Sequence, residues 1–441
     1  MIEILNIYFL STCLLVIFSF PFSNRYASNI IKIKKINIFE IYLLNTIFTT
    51  SILLILSFFR IDLTILFFVI LICSLINLFF IEYGKFKKDL ILFFFFFLFI
   101  VIFFTKIANY PVLEWDGFSH WIYKVKNFYD GYSYKNFSNV QNHNEYPPLG
   151  SYLWAFVWKG SLINNEYTGR VIYLYFYFLS LFLIISKTPF NLIVKILIIA
   201  LLTIITFDVF LFSGYQEPLN FSLMAICLFL FIKIKDYNKF TIFHLFLMLA
   251  CNLIAWTKSE GVFLILFLYI FVFFDSKINK KSKVITFFVL MFIFFLKKFI
   301  DLNIYDSNFN AGFPSWFTFV AIENFFNYSN FIERSSFLIA NTLMSFLKYP
   351  IFIFFLIFML LNFLNRKFSK FDFLNLAFFL FTLIAINMIF LLDSSDSWEF
   401  KAQVGLDRIL YSTSSVYLFF IIKSYIINEI IKFIYNFYIL R

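Results

Sequence analysis

The chain has 441 residues, of which 62% are hydrophobic, 24% are aromatic and only 14% are charged. One soluble core cannot cover so much apolar surface, so the composition excludes an ordinary water-soluble domain and indicates a protein surrounded by lipid. The formal net charge of +11 is also found in nucleic-acid-binding proteins. However, the basic residues occur in short clusters between apolar runs, which is the pattern of membrane topology. We therefore expect no nucleic-acid partner.

Apolar runs long enough to cross a bilayer recur along the whole chain. A transmembrane helix needs about 20 predominantly apolar residues. The sequence therefore predicts an all-α, polytopic integral membrane protein with about 13 transmembrane helices. The runs lie near residues 4–21, 41–59, 63–82, 90–105, 170–186, 189–213, 217–233, 241–257, 260–275, 284–300, 340–364, 373–392 and 409–427.

The basic residues give the expected orientation of these helices. Lys and Arg are retained on the cytoplasmic side of a membrane, and the main basic clusters fall on one side of the predicted alternation. We therefore expect an external N-terminus and a cytoplasmic C-terminus. The clusters lie at residues 25–35, 85–88, 233–239, 277–283 and 366–370.

One further helix is predicted over residues 149–163. This segment is short for a membrane span, and it carries Trp154, Trp158 and Lys159, which are residue types that favour the membrane interface. We therefore expect this helix to lie on the outer surface of the membrane.

Most of the conspicuous polar residues fall in the expected external segments, above all in residues 106–169. Within this loop, Trp115-Asp116-Gly117 precedes apolar residues at helical spacing over 118–128, which predicts an amphipathic interfacial helix. Asp116 lies at its N-terminal end. It either caps the helix or holds a carboxylate at the membrane surface that takes a proton from an acceptor hydroxyl. We take Asp116 as the candidate catalytic residue.

A histidine follows Asp116 at a spacing that suggests a metal site. His120 lies four residues after Asp116, so the two side chains share a helical face. Together with His143 and Glu145, they form a candidate site for a divalent metal. A solvated histidine at a polar interface is the alternative interpretation, and we assign no metal ligand.

The same loop supplies further candidates for substrate binding. Lys124 and Lys126 are placed to meet a phosphate, or else the headgroups of anionic lipids. Trp115 adjoins Asp116, and Glu145-Tyr146 precedes two prolines that break the chain before the helix at 149–163. We include all of these residues, with His120, among the candidate substrate-binding residues.

Later external edges repeat this pattern of polar residues. Glu217 lies where one predicted span follows another, and Lys258 and Glu260 interrupt two consecutive spans. Such groups are costly at this depth unless they face a cavity or a partner, so they either pair with each other or line a cavity for a polar substrate. Arg408 precedes the last span. Its forked donors suit a phosphate, and snorkelling to the interface is the alternative.

Five pieces of the sequence, in order, resemble one family. Together they cover about residues 106–275 and resemble the GT-C superfamily of integral membrane glycosyltransferases. Within it, they are similar to bacterial proteins related to dolichyl-phosphate-mannose-protein mannosyltransferases and to the RgtA/B/C/D-like group. The pieces are WDGFSHWIYKVKNFY (115–129), EYPPLGSYLWAFVW (145–158), Arg170, GYQEP (214–218) and TKSEG (257–261).

The resemblance implies transfer of a sugar from a polyprenyl-phosphate carrier to a glycan, lipid or protein acceptor of the cell envelope. Asp116 would be the base, Glu217 a second acidic residue of the cavity, and the basic residues would meet the carrier phosphate. The implied location is the bacterial inner membrane, with the active site facing the periplasm or exterior. Two features differ from many members: about four predicted spans precede the acidic loop, and Asp116 is followed by Gly117 instead of a second acidic residue.

Two other classes of function, and a structural or inactive paralogue, are alternatives to this one. A purely structural chain has little reason to gather Asp116, Glu145, Glu217 and Glu260 on one side. An O-antigen polymerase or ligase also acts on polyprenyl-linked glycans, and the predicted external loop 301–339 is compatible with that class. A transporter is disfavoured because the sequence shows no convincing internal repeat and has Asp208 as the only acidic residue well inside a predicted span.

On the favoured interpretation the chain has three parts. Residues 1–105 are N-terminal transmembrane helices. Residues 106–275 form a GT-C-like catalytic core with the external loop 106–169, and residues 276–441 are C-terminal transmembrane helices with the external loop 301–339.

Overall fold

The computed structural model describes residues 2–22, 37–80, 89–139, 146–234, 241–258, 260–274, 278–304, 328–392 and 397–423. Regular secondary structure in these ranges is entirely helical, as the sequence predicts. The α-helices are α1 (Ile2–Ile17), α2 (Ile38–Leu56), α3 (Leu63–Leu78), α4 (Leu90–Asn109), α5 (Ile122–Tyr129), α6 (Leu149–Lys159), α7 (Val171–Ser186), α8 (Leu192–Thr206), α9 (Glu217–Ile234), α10 (Ile242–Ala255), α11 (Gly261–Phe273), α12 (Lys280–Ile304), α13 (Tyr328–Lys348), α14 (Ile351–Leu364), α15 (Lys370–Leu391) and α16 (Trp398–Lys423).

Several helices of the described chain fit an integral membrane protein. Five are long and apolar enough to cross a bilayer: α2, α4, α7 with the turn before it, α9 and α15. A sixth candidate is the pair of α13 and α14. Shorter apolar helices, among them α1, α3, α8 and α10, accompany them. Length and composition therefore support five or six spans, and the total of about 13 stays a prediction.

The run predicted as one span over 340–364 is broken in the structure. α13 and α14 are bent by 90° where Tyr349-Pro350 separates them. Proline lacks an amide hydrogen and disfavours the helical conformation of the residue before it, so a straight helix through this point would lose a hydrogen bond.

The centre of the bundle is formed by α7 and α9. Every residue of α7 from Val171 to Ile185 is buried, and α9 packs against α7, α10 and α16. Peripheral helices instead carry outward apolar stripes. On α8, for example, Ile193, Leu197, Leu201 and Ile204 are exposed at helical spacing, as expected for a surface that faces lipid tails.

Helix α6 is the segment predicted over 149–163, and other elements of the protein cover it. Residues Leu149 to Val157 are all buried, and the placement of this helix at the outer membrane surface stays a prediction. It packs against α3, α5, α7 and the 3₁₀ turn Glu166–Arg170. Most of its residues are apolar, which suits a helix that protein covers on several sides.

The two ends of the bundle carry different charged clusters. Glu40 is buried and pairs with Lys187 at 2.8 Å and with Lys233 at 2.5 Å. Glu217 begins the same helix that Lys233 nearly ends, so the two ends lie about 24 Å apart along α9. We call them the Glu40 end and the Asp116 end. Because Lys233 belongs to a predicted cytoplasmic cluster, the predicted orientation makes the Asp116 end external.

Candidate functional site

Charged side chains from four separated segments meet at the Asp116 end. One segment precedes α5, the second begins α9, the third links α10 to α11, and the fourth lies within α16. We call this group the ion network. Its members are Asp116, Glu217, Lys258, Glu260 and Arg408.

Arg408 joins two of the carboxylates. Its Nη2 lies 2.5 Å from Asp116 Oδ2, and its Nε lies 2.5 Å from Glu217 Oε1. The guanidinium also lies over the ring of Tyr215, 5.1 Å from the centroid. Arg408 therefore connects the loop before α5 to the start of α9, which is the residue pairing that the resemblance placed in one cavity.

Lys258 extends the network to a third carboxylate. Its Nζ lies 2.7 Å from Glu217 Oε1 and 2.7 Å from Glu260 Oε1. The pairing of Lys258 with Glu260, which the sequence left as one of two interpretations, is present, but it belongs to a larger group. Three carboxylates share two cations in this network.

Asp116 is not used as a helix cap. It precedes a π-helical turn, Gly117–Trp121, and its side chain makes no capping hydrogen bond. Its other carboxylate oxygen, Oδ1, lies 4.0 Å from His120 Nε2, so the predicted shared face is present. Of the two roles that the sequence left open, the structure replaces capping with an ion pair to Arg408.

Close backbone packing holds Asp116 beside α9. A Cβ added at Gly117 would lie 2.2 Å from the carbonyl oxygen of Ser213, so glycine alone permits this approach. The amide of Glu114 donates to the same carbonyl at 3.3 Å. The loop that carries Asp116 is therefore joined directly to the segment that leads into Glu217.

Arg170 holds the two loops of this arrangement together. The sequence predicts no role for Arg170 beyond its place in the resemblance. It is fully buried and donates to the carbonyl oxygens of Pro111, Val112 and Phe212 at 2.7, 2.9 and 2.6 Å. Its charge is balanced by Glu166 at 2.5 Å. One side chain thus ties the loop before Asp116 to the loop before Glu217.

Other predicted binding residues lie outside the ion network. Lys124 is buried, and its Nζ donates to the carbonyl oxygen of Tyr146 at 2.6 Å. Lys126 and Trp115 are exposed. The ring of Tyr146 packs on His120, with centroids 5.8 Å apart, so it reaches the network through that histidine.

The residues around Glu217 add polar groups that were not among the candidates. Gln216 donates through Nε2 to the hydroxyl of Tyr173 at 2.8 Å, and Asn220 is fully buried one turn into α9. Burial raises the pKa of Tyr215 to about 12, and the nearby Asp116 carboxylate adds to the rise. The i, i+3 and i, i+4 spacing of 216, 217 and 220 is the signal that a sequence search could have used.

A second charged cluster adjoins the first. Asp208, predicted inside a span, instead follows α8 and accepts a hydrogen bond from the Tyr349 hydroxyl at 2.9 Å. Lys348 lies 3.7 Å from Asp208 and 2.8 Å from Asp407. This cluster therefore holds the bend between α13 and α14 against α16.

The predicted metal site is described only in part. His143 and Glu145 lie outside the described residues, and the described ones contain no group of three or more His, Cys, Asp or Glu side chains that could hold a metal ion. Asp116 has Arg408 as its close partner. A divalent metal stays a prediction.

Comparisons with known proteins add no identification. No family model matches the chain, and neither a curated protein nor a solved structure matches it. The resemblance to the GT-C superfamily therefore rests on the sequence pieces given above.

Proposed function

We propose that this chain is a membrane glycosyltransferase of the GT-C kind. It moves a sugar from a polyprenyl-phosphate carrier to a cell-envelope acceptor at the Asp116 end of the bundle. The observation that supports this proposal is the ion network, which gathers buried and half-buried carboxylates and cations from four segments at one end of an apolar bundle. Charged groups in such surroundings are costly and are typically functional.

The network offers a base for the acceptor. Arg408 holds Oδ2 of Asp116, and Oδ1 lies 4.0 Å from His120 Nε2. We assign Oδ1 to take the proton of the acceptor hydroxyl as that oxygen attacks the anomeric carbon. Because three carboxylates share two cations, the network has capacity to hold the proton that it receives.

The network also offers a cation for the leaving group. Arg408 holds the carboxylates through Nη2 and Nε, so Nη1 is the guanidinium nitrogen that takes no part in these two ion pairs. We assign Nη1 to the carrier phosphate, which leaves with the electron pair of the broken sugar–oxygen bond. A guanidinium suits this task because it stays charged and donates several hydrogen bonds.

The test is sugar transfer by membranes that contain the protein. Wild type, Asp116→Asn and the control Asp62→Asn are compared at matched expression, with a panel of radiolabelled undecaprenyl-phosphate sugars as donors. Asp62 is an exposed carboxylate that caps α3, and Asn is an equally good cap. We expect Asp116→Asn to lose about 100-fold or more of the transfer rate, as for loss of a general base, and Asp62→Asn to keep it.

The other outcomes are equally informative. Wild-type transfer rates in folded Asp116→Asn would remove Asp116 from the reaction. A product that grows by many repeat units would favour the polymerase or ligase interpretation. No transfer by the wild type from any donor of the panel would contradict the proposed function.

A further inference from the structure

Three polar side chains share the first turn of α9 and face a common region. The amides of Leu219 and Asn220 donate to the carbonyl oxygen of Gln216 at 3.1 and 3.2 Å, so the helical turn already includes Gln216. With about 100° of rotation per residue, Asn220 lies angularly between Gln216 and Glu217, one turn further along the helix.

These side chains are fully buried, yet several of their atoms lack hydrogen-bond partners among the described residues. Glu217 Oε1 accepts from both Lys258 and Arg408, whereas Oε2 accepts nothing within the described ranges. In the same ranges Gln216 Oε1 and both amide atoms of Asn220 have no hydrogen-bond partner. All three side chains are 0% exposed. Polar atoms left in this state are strongly unfavourable, so a polar ligand is expected to meet them.

The unmet bonding capacity exceeds that of one water molecule. Three oxygen atoms can accept, and the Asn220 amide can donate two N–H groups, whereas a buried water makes about three hydrogen bonds. The hydroxyl of Tyr411, whose ring stacks on Phe221 with centroids 5.5 Å apart, is also buried without a partner among the described residues. The unmet donors and acceptors therefore match, in number and kind, the hydroxyl groups of a polyhydroxylated molecule.

We propose that Gln216, Glu217 and Asn220 bind the hydroxyl groups of the donor sugar, with Asn220 determining which sugar is accepted. This inference rests on the proposed function, because it takes the ligand to be the sugar whose phosphate meets Arg408. The charge of Glu217 is already balanced by Lys258 and Arg408, so the group that meets Oε2 is a neutral hydroxyl. Asn220 is the one member of the turn with a complete amide unpaired.

The experiment compares wild type, Asn220→Leu and the control Ser222→Ala in detergent. Ser222 is also buried on α9, but its hydroxyl already donates to the Pro218 carbonyl at 2.7 Å. Two readouts are used: the kinetics of transfer from each undecaprenyl-phosphate sugar, and the rise in melting temperature that each donor produces. In Asn220→Leu we expect the donor-induced rise to disappear and KM for the donor to increase at least about tenfold. Deoxy-sugar donors identify the hydroxyl group that Asn220 binds. Asn220→Leu should no longer distinguish the donor that lacks this hydroxyl from the complete donor.

Each outcome separates this inference from the proposed function. If Asn220→Leu matches Ser222→Ala in both readouts, the turn holds water only and the inference is wrong, while transfer by the wild type still stands. If donors raise the melting temperature of the wild type but not of Asn220→Leu, and no transfer occurs, the site stands and the proposed function fails. If no donor produces either effect in the wild type, both are wrong.

Discussion

The Glu40 end and the Asp116 end differ in how cations balance the charge of carboxylates inside an apolar bundle. At the Glu40 end one buried carboxylate meets two lysines, and each oxygen has its own cation. Glu40 also accepts a hydrogen bond from the Asn37 amide and completes the cap of α2. At the Asp116 end three carboxylates share two cations, and one oxygen of Glu217 has no partner in the described chain.

This difference separates a structural cluster from a functional one. A cluster in which each carboxylate oxygen lies beside its own cation stabilises the packing of the helices that it joins and leaves little capacity for a ligand. A cluster with unmet hydrogen bonds and excess carboxylate costs stability that only a ligand or a proton can offset. If the Glu40 end serves folding and the Asp116 end serves function, substitutions at the two ends should have different effects on stability and on transfer.

The largest effect is expected from removing the central cation of the ion network. Arg408→Leu leaves Asp116 without its close cation and Glu217 with one cation instead of two. We expect the free energy of unfolding to fall by about 3–5 kcal/mol, measured as thermal unfolding and monodispersity in detergent. Arg408→Lys keeps the positive charge but lacks the forked N–H donors of the guanidinium. It should therefore lose less stability than Arg408→Leu. An unchanged melting temperature in Arg408→Leu would show that the network does not join these segments.

A pair of matched substitutions tests the division between the two ends. Glu217→Gln should lower the transfer rate by about 100-fold, because it removes the carboxylate that positions Lys258 and Arg408. Glu40→Gln should lower the free energy of unfolding by about 1–3 kcal/mol, because it removes charged hydrogen bonds.

Transfer per folded molecule is the measurement that distinguishes these two variants. It should stay within about twofold of wild type in Glu40→Gln, since Glu40 pairs with Lys233, which lies about 24 Å along α9 from Glu217. If both variants lose transfer equally, the comparison of the two ends is wrong.

The helices themselves could be predicted from the sequence because apolar runs of spanning length leave few alternatives. The structure has helices at each predicted run, although their membrane crossings are supported for five or six only. The bend at Pro350 and the burial of α6 have causes that composition does not contain. Pro350 is visible in the sequence, yet the size of the bend depends on how α13 packs. The burial of α6 depends on which helices surround it.

Part of the site could also be predicted from the sequence. Asp116, Glu217 and Arg408 can be predicted because charged groups are rare in this chain and these three fall on one predicted side. Their mutual contacts, and the missing partners of Asn220, depend on distances between segments that are up to 292 positions apart in numbering, from 116 to 408. Sequence spacing carries no information at that range without tertiary structure.

A smaller effect is expected from a steric change beside Gln216. A Cβ at Gly150 would lie 1.4 Å from Gln216 Oε1, so Gly150→Ala must displace that side chain. We expect a loss of about 1–3 kcal/mol in the free energy of unfolding and a reduced transfer rate per folded molecule. Gly160→Ala is the control, because the nearest atoms to its Cβ would belong to the ring of Phe67, at 2.2 Å, and not to Gln216. Equal transfer in the two variants would contradict a role for Gln216.

The smallest effect is expected at Lys126, which the sequence placed among the candidates for phosphate binding. The side chain is exposed and lies outside the ion network, so Lys126→Gln should change the free energy of unfolding by no more than about 0.5 kcal/mol. Transfer should stay within about twofold of wild type, since an exposed charge contributes little binding energy. The measurement is KM for the donor at low and high salt. A large, salt-dependent rise in KM would place the carrier phosphate at the surface of α5 and would contradict its assignment to Arg408. The Lys126→Gln variant therefore decides whether Lys126 or Arg408 binds the phosphate, a choice that the sequence leaves open.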